Sequence, residues 1–147
     1  MSQAEGYIKM LKIMIDGLEF NEKIKKLKKF LETMSNLLTD STFRKGINDI
    51  ILENFKQNAT LDIVDMIIQL IKNAQSDDEK QKLFQTLLEV VKGSPIEKSP
   101  ECRKALSEKI RTNFSKQGNK FLVDLILSLI NSTSELNEIG LHAKALV

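Results

Sequence analysis

At 147 residues the chain has the length of one ordinary domain, sufficient to bury a continuous core without a metal or a disulfide frame. A composition of 41% hydrophobic and 29% charged residues argues against disorder, and a net charge of +2 excludes the broad basic field of a duplex-binding domain. One cysteine rules out an internal disulfide, and a start without a basic, apolar leader adds to the expectation of a cytoplasmic protein.

Two prolines, six glycines and one tyrosine leave little strand or turn chemistry, so the expected class is all-α. The first helix is expected over residues 3–16. Tyr7, Ile8, Met10, Leu11, Ile13, Met14 and Ile15 cover most of its circumference, which predicts a buried helix ended at Gly17, with Asn21 capping the next. The second, over 22–39, places Ile24, Leu27, Phe30, Leu31, Met34, Leu37 and Leu38 on one stripe, with Lys23, Lys25, Lys26, Lys28 and Lys29 elsewhere. Asp40 caps a third helix that buries Phe43, Ile47, Ile50, Ile51 and Phe55.

Thr60 opens a fourth helix over 61–74, apolar nearly all round apart from the stripe Asp62, Asp65, Gln69 and Lys72. Ser76 and Glu79 have capping-box spacing before a fifth helix that stops at Gly93. Residues 93–98 read as a loop, and Ser99 with Pro100 opens a sixth helix over 101–116 that ends at Gly118. A seventh, over 120–132, is again strongly apolar, and the tail from 134 to 147 reads as a weak helix prone to fraying. No apolar run approaches the roughly 20 residues that span a bilayer.

Residues 43–76 can be laid on 102–135 at a constant offset of 59. The identities are Arg44/Arg103, Lys45/Lys104, Ile51/Ile110, Asn54/Asn113, Phe55/Phe114, Val64/Val123, Asp65/Asp124, Ile67/Ile126, Leu70/Leu129 and Ile71/Ile130, where residue frequencies alone would supply about two. The caps keep the same register, Asp40 with Ser99 and Thr60 with Asn119. The first helix joins at an offset of 56, pairing Met10 with Met66, Leu11 with Ile67, Met14 with Leu70 and Ile15 with Ile71. Internal repetition at such a period predicts stacked supersecondary units. We therefore expect one domain over 1–147, with three-helix units A-B-C at 3–58 and 60–117, a partial copy at 119–134 and a tail at 135–147. In helix order it resembles an armadillo or HEAT-type right-handed array, although those repeats are shorter, about 40–47 residues, and none of their consensus residues is present. A closed seven-helix bundle is the alternative architecture.

Chemistry-bearing residues are few. His142 is the lone histidine, Cys102 replaces Phe43 as a small hydrophobe, and no metal-ligand set, phosphate-binding glycine loop or cofactor motif can be assembled. The expectation is a protein that is not an enzyme and needs no cofactor or metal.

Asp65 and Asp124 interrupt apolar helices at equivalent positions, Lys9 matches them in the first helix, and Asn54 and Asn113 each precede a core phenylalanine. These five are the candidate partner-binding residues, and the lysines from Lys23 to Lys29 form a candidate basic patch. No aromatic residue is interleaved with those lysines to stack bases, and nearby glutamates dilute their field, so nucleic acid is not the expected partner. The expected function is a protein or peptide interaction module. Its alternative is a carrier of a hydrophobic ligand such as a fatty acid, held in a Met-, Ile-, Leu- and Phe-rich core. A homodimer completing the third unit is a further expectation.

Overall fold

The computed structural model describes residues 2–114 and 119–146. The expected end of the sixth helix at Gly118 lies outside them. Among the described residues there are eight α-helices and two 3-10 turns, with no strand. The helices are α1 (Gln3–Ile15), α2 (Phe20–Thr33), α3 (Ser41–Phe55), α4 (Leu61–Asn73), α5 (Asp77–Val91), α6 (Pro100–Phe114), α7 (Lys120–Asn131) and α8 (Leu136–Lys144). The turns are Ser35–Thr39 and Pro95–Lys98. None of these helices is long and apolar enough to cross a membrane.

Several boundaries follow from capping chemistry. The Asp40 carboxylate accepts from the Thr42 and Phe43 amides, and the Ser76 hydroxyl from that of Glu79. Asn119 caps α7 through the Phe121 and Leu122 amides. The expected Asn21 cap is not used: α2 starts at Phe20, two residues earlier than expected, after Glu19, which makes no side-chain cap bond. The expected helix over 22–39 is α-helical only to Thr33. Met34 leaves the helical region, and a 3-10 turn carries Leu37 and Leu38 to the Asp40 cap. The expected loop at 93–98 likewise holds the second 3-10 turn, with Ile96 buried in it.

Two long-range backbone bonds stitch the α3–α4 link to the end of α5. The Gln57 amide donates to Glu89 carbonyl oxygen and the Ala59 amide to that of Val90, both at 3.1 Å. Gln57 has a positive φ of 58°, a left-handed conformation that a residue with a side chain adopts only when its surroundings compensate.

The core is one continuous cluster running from Ala4 to Ala145. Substantial packing is confined to helices no more than two places apart in the chain: α1 on α2 and α3, α2 on α4, α3 on α4 and α5, α4 on α5 and α6, α5 on α7, and α8 on α6 and α7. α1 and α3 approach closely because Gly46 has no side chain. A Cβ there would lie 2.5 Å from Ile8 Cγ1. Phe30 stacks on Phe43, and Phe84 meets Phe114 edge to face at a centroid distance of 5.1 Å.

Two sequence expectations fail here. α1 is not buried all round: Ile8, Leu11 and Ile15 are, whereas Met10, Ile13 and Met14 are exposed. α7 similarly exposes Val123 and Leu127. Neither helix has neighbours on every side, so apolar content by itself could not decide which flank would be covered. The tail does not read as frayed either. α8 packs against α6 and α7 and buries Glu138 and His142.

Three pairs of helices start 59 residues apart: α3 and α6 at 41 and 100, α4 and α7 at 61 and 120, α5 and α8 at 77 and 136. The tail helix α8 thus follows α5 at the same interval as α6 follows α3.

Candidate functional site

Polar chemistry inside the fold is concentrated at two joints. In the first, buried Arg44 on α3 grips Glu79 on α5 through two bonds, Nε to Oε2 at 2.5 Å and Nη2 to Oε1 at 2.7 Å. Its Nη1 donates to Leu38 carbonyl oxygen in the 3-10 turn, at 3.0 Å. In the second, Arg103 on α6 grips Glu138 on α8 at 2.7 and 3.1 Å and donates to Glu97 carbonyl oxygen, again in a 3-10 turn, at 2.7 Å. Every partner in the second joint lies 59 residues after its counterpart in the first: 44 and 103, 79 and 138, 38 and 97. A planar guanidinium meeting a carboxylate fork-on-fork fixes both distance and angle between the elements it joins.

The second joint extends further. His142 Nε2 lies 2.7 Å from Glu138 Oε2, and His142 Nδ1 meets the Ser107 hydroxyl. The Arg103 guanidinium, with help from His142, holds the Glu138 carboxyl down at about 2 against the opposing effect of burial. An ionised carboxylate only accepts, so His142 Nε2 donates its proton to Glu138. In outline this is a hydroxyl–imidazole–carboxylate chain. Ser107, Glu138 and His142 are nevertheless at most 1% exposed, so the hydroxyl faces no cleft a substrate could enter. The arrangement rigidifies the α6–α8 contact.

At the first joint the corresponding residues are Asn48 and Leu83. Asn48 Oδ1 is buried without a hydrogen-bond partner among the described residues. An open depression of about 440 Å³ lies over the Arg44–Glu79 pair, bordered by Lys45, Asp49, Asp78 and Lys82.

None of these joint residues was singled out as a site from the sequence. Arg44 and Arg103 were visible only as repeat identities, and Glu79 only as a capping acid. The signal was available in the offset of 59, which pairs Glu79 with Glu138 when carried three residues past Ser76.

The sequence-predicted residues are placed as follows. Asp65, on α4, pairs with Lys109 of α6 at 2.8 Å. Asp124, the equivalent residue of α7, and Lys9, that of α1, are exposed and make no ion pair among the described residues. Asn54 and Asn113 each donate back to the carbonyl four residues earlier, Ile50 and Lys109, at 2.8 Å. Asn54 also accepts from Lys23 Nζ at 3.0 Å.

Within the expected basic patch, Lys25 meets Glu22 and Lys28 meets Asp62, leaving Lys26 and Lys29 exposed and outside any described ion pair. Cys102 is partly buried against the core. Ser94 is fully buried and caps its turn. No group of three metal-ligating side chains forms among the described residues.

Asp65 and Asp124 border equivalent open grooves. One, of about 310 Å³, lies between α2 with its 3-10 turn and α4; the other, of about 490 Å³, lies between α5 with its turn and α7. The large exposed apolar side chains collect elsewhere. Among the described residues they are Met10, Ile13 and Met14 on α1, Val123 and Leu127 on α7, and Leu136 and Leu146 at α8. The middle helices carry none. No family model matches this chain, and no curated protein or solved structure is significantly similar to it.

Proposed function

We propose that this chain is a non-catalytic protein-interaction module, built as a short helical-repeat scaffold of units A-B-C, A′-B′-C′ and A″-B″. In these terms α1, α4 and α7 are the A helices, and α8 is B″. Supporting this are the helix starts spaced by 59, the twice-used arginine joint and the neighbour-to-neighbour packing of an open array. The single observation that carries the interaction reading is the confinement of exposed apolar side chains to the two ends of the stack. Apolar patches that survive on a folded surface mark contact sites.

The reading is tested by placing a photoreactive side chain at Ile13, at Leu127 and, as control, at exposed Lys72, then irradiating the protein in extract from its host. The expected outcome is crosslinks to protein at 13 and 127 and none at 72. Native mass spectrometry of the purified chain should show no lipid-sized mass that disappears on denaturation. Absence of protein crosslinks at both ends, or a retained lipid mass, would overturn the proposal.

A further inference from the structure

We infer that the two apolar ends dock on each other between copies of this chain, with α1 of one molecule covering the flank of α7 that a C helix covers on α4. This rests on the repeat-scaffold reading above and names its partner.

Among the described residues, α4 alone of the three A helices has layers on both sides. It buries two opposite flanks, Met66 and Leu70 on one, Val64 and Ile68 on the other. At the offset of 56, the exposed Met10 and Met14 of α1 fall on Met66 and Leu70. At the offset of 59, the exposed Val123 and Leu127 of α7 fall on Val64 and Ile68. Each end therefore presents one of the two flanks the middle helix hides, and the two ends present opposite ones.

The neighbours show what normally covers the second flank. Ile8, equivalent to Val64, packs on Gly46 of α3, and Lys12, equivalent to Ile68, reaches Glu53 of α3 at 4.0 Å. On α4 itself, Asp65 is met by Lys109 of α6. Both covering helices stand in the C position. α7 is followed among the described residues by a B helix only, so Val123, Leu127 and Asp124 face solvent.

Charge argues that α1 of another copy fits that place. Its exposed apolar face is flanked by Lys9, one helical turn before Ile13 and without an ion partner among the described residues. Set against α7, Lys9 meets Asp124 as Lys109 meets Asp65. Terminal units of a stack ordinarily carry a polar outer face. Here both outer faces are apolar, and they are not the same patch, so the contact is head-to-tail and grows beyond a dimer.

The test is sedimentation velocity of the purified chain over a wide concentration range. The expected result is an average mass that rises with concentration past that of a dimer. Ile13→Glu and Leu127→Glu, both at exposed positions, should each abolish the growth with helicity unchanged. A mixture of the two single variants should form a one-to-one dimer and nothing larger, since each retains one intact end. Lys9→Asp and Asp124→Lys should each weaken association, and the double reversal should restore it.

A monomer at every concentration overturns the inference. So does association that survives Leu127→Glu, which would mean a symmetric α1–α1 contact. If the chain stays monomeric while photocrosslinks at 13 and 127 capture a different protein, the interaction module stands and the self-association fails.

Discussion

The two arginine joints occupy equivalent places and differ in what surrounds the ion pair. At the α3–α5 joint Arg44 is 1% exposed and Glu79 24%, under an open depression; at the α6–α8 joint the figures are 7% for Arg103 and 1% for Glu138. Glu79 keeps part of its hydration, so the first pair pays little for burial. Glu138 keeps almost none, and the second joint meets its desolvation by adding donors. His142 stands where the first joint has Leu83, and Ser107 where it has Asn48. The same backbone scaffold thus holds one half-solvated clamp and one sealed network. Sealed networks are worth having only when every member is satisfied. At the second joint Ser107, His142, Glu138 and Arg103 all find partners, whereas the first leaves Asn48 Oδ1 alone.

The largest expected effect breaks the sealed joint. Arg103→Ala strands Glu138 and His142 in the interior and should cost about 3–5 kcal/mol in urea unfolding. Arg44→Ala lets Glu79 turn to water and should cost roughly 1–3 kcal/mol, mostly the unpaired Leu38 carbonyl. Equal losses at the two sites would erase the contrast.

Acid should separate the joints next. Glu138 is held at about 2 in the folded chain, below the roughly 4.3 of an unfolded glutamate. Its stabilisation is therefore complete above the unfolded value and lost as pH falls from there through about 2, a change of a few kcal/mol. Glu79 is also shifted down by Arg44, against the effect of its burial, so its contribution is lost in the same direction; its exposure makes that loss smaller. Urea midpoints measured at successive pH values should show Arg103→Gln flattening this acid limb far more than Arg44→Gln does. The smallest effect sharpens the comparison from the other side. Asn48→Leu removes an orphaned acceptor and should raise stability by about 0.5–1 kcal/mol, whereas loss of stability would mean that Asn48 Oδ1 is satisfied in solution.

Much of the fold was legible because helix signals are local. The caps at Asp40, Thr60, Ser76 and Asn119 are read from a residue and its next three neighbours, and the structure uses all four. The stripe of Ile24, Leu27, Phe30 and Leu31 is likewise buried as spaced. The candidate site was legible only in part. Asn54 and Asn113 announced themselves as matched polar residues, yet their amides bond to their own helices. Asp65 and Asp124 look identical in sequence, and among the described residues only Asp65 has a helix, α6, beside it to supply a lysine, Lys109. The joints were missed because their partners lie 35 residues apart, beyond any helical or turn spacing.

Composition, apolar periodicity and capping chemistry by themselves determined that this chain is helical, where most helices begin, and which positions correspond across the 59-residue offset. These are properties of short segments, set by backbone hydrogen bonding and side-chain spacing. Tertiary structure alone decided that α8 is a packed helix, that Arg103, Glu138, His142 and Ser107 meet in a sealed network, and that Met10 and Val123 face outward although Met66 and Val64 do not. Burial depends on what stands beside a helix, and the matched positions of α1, α4 and α7 have different neighbours.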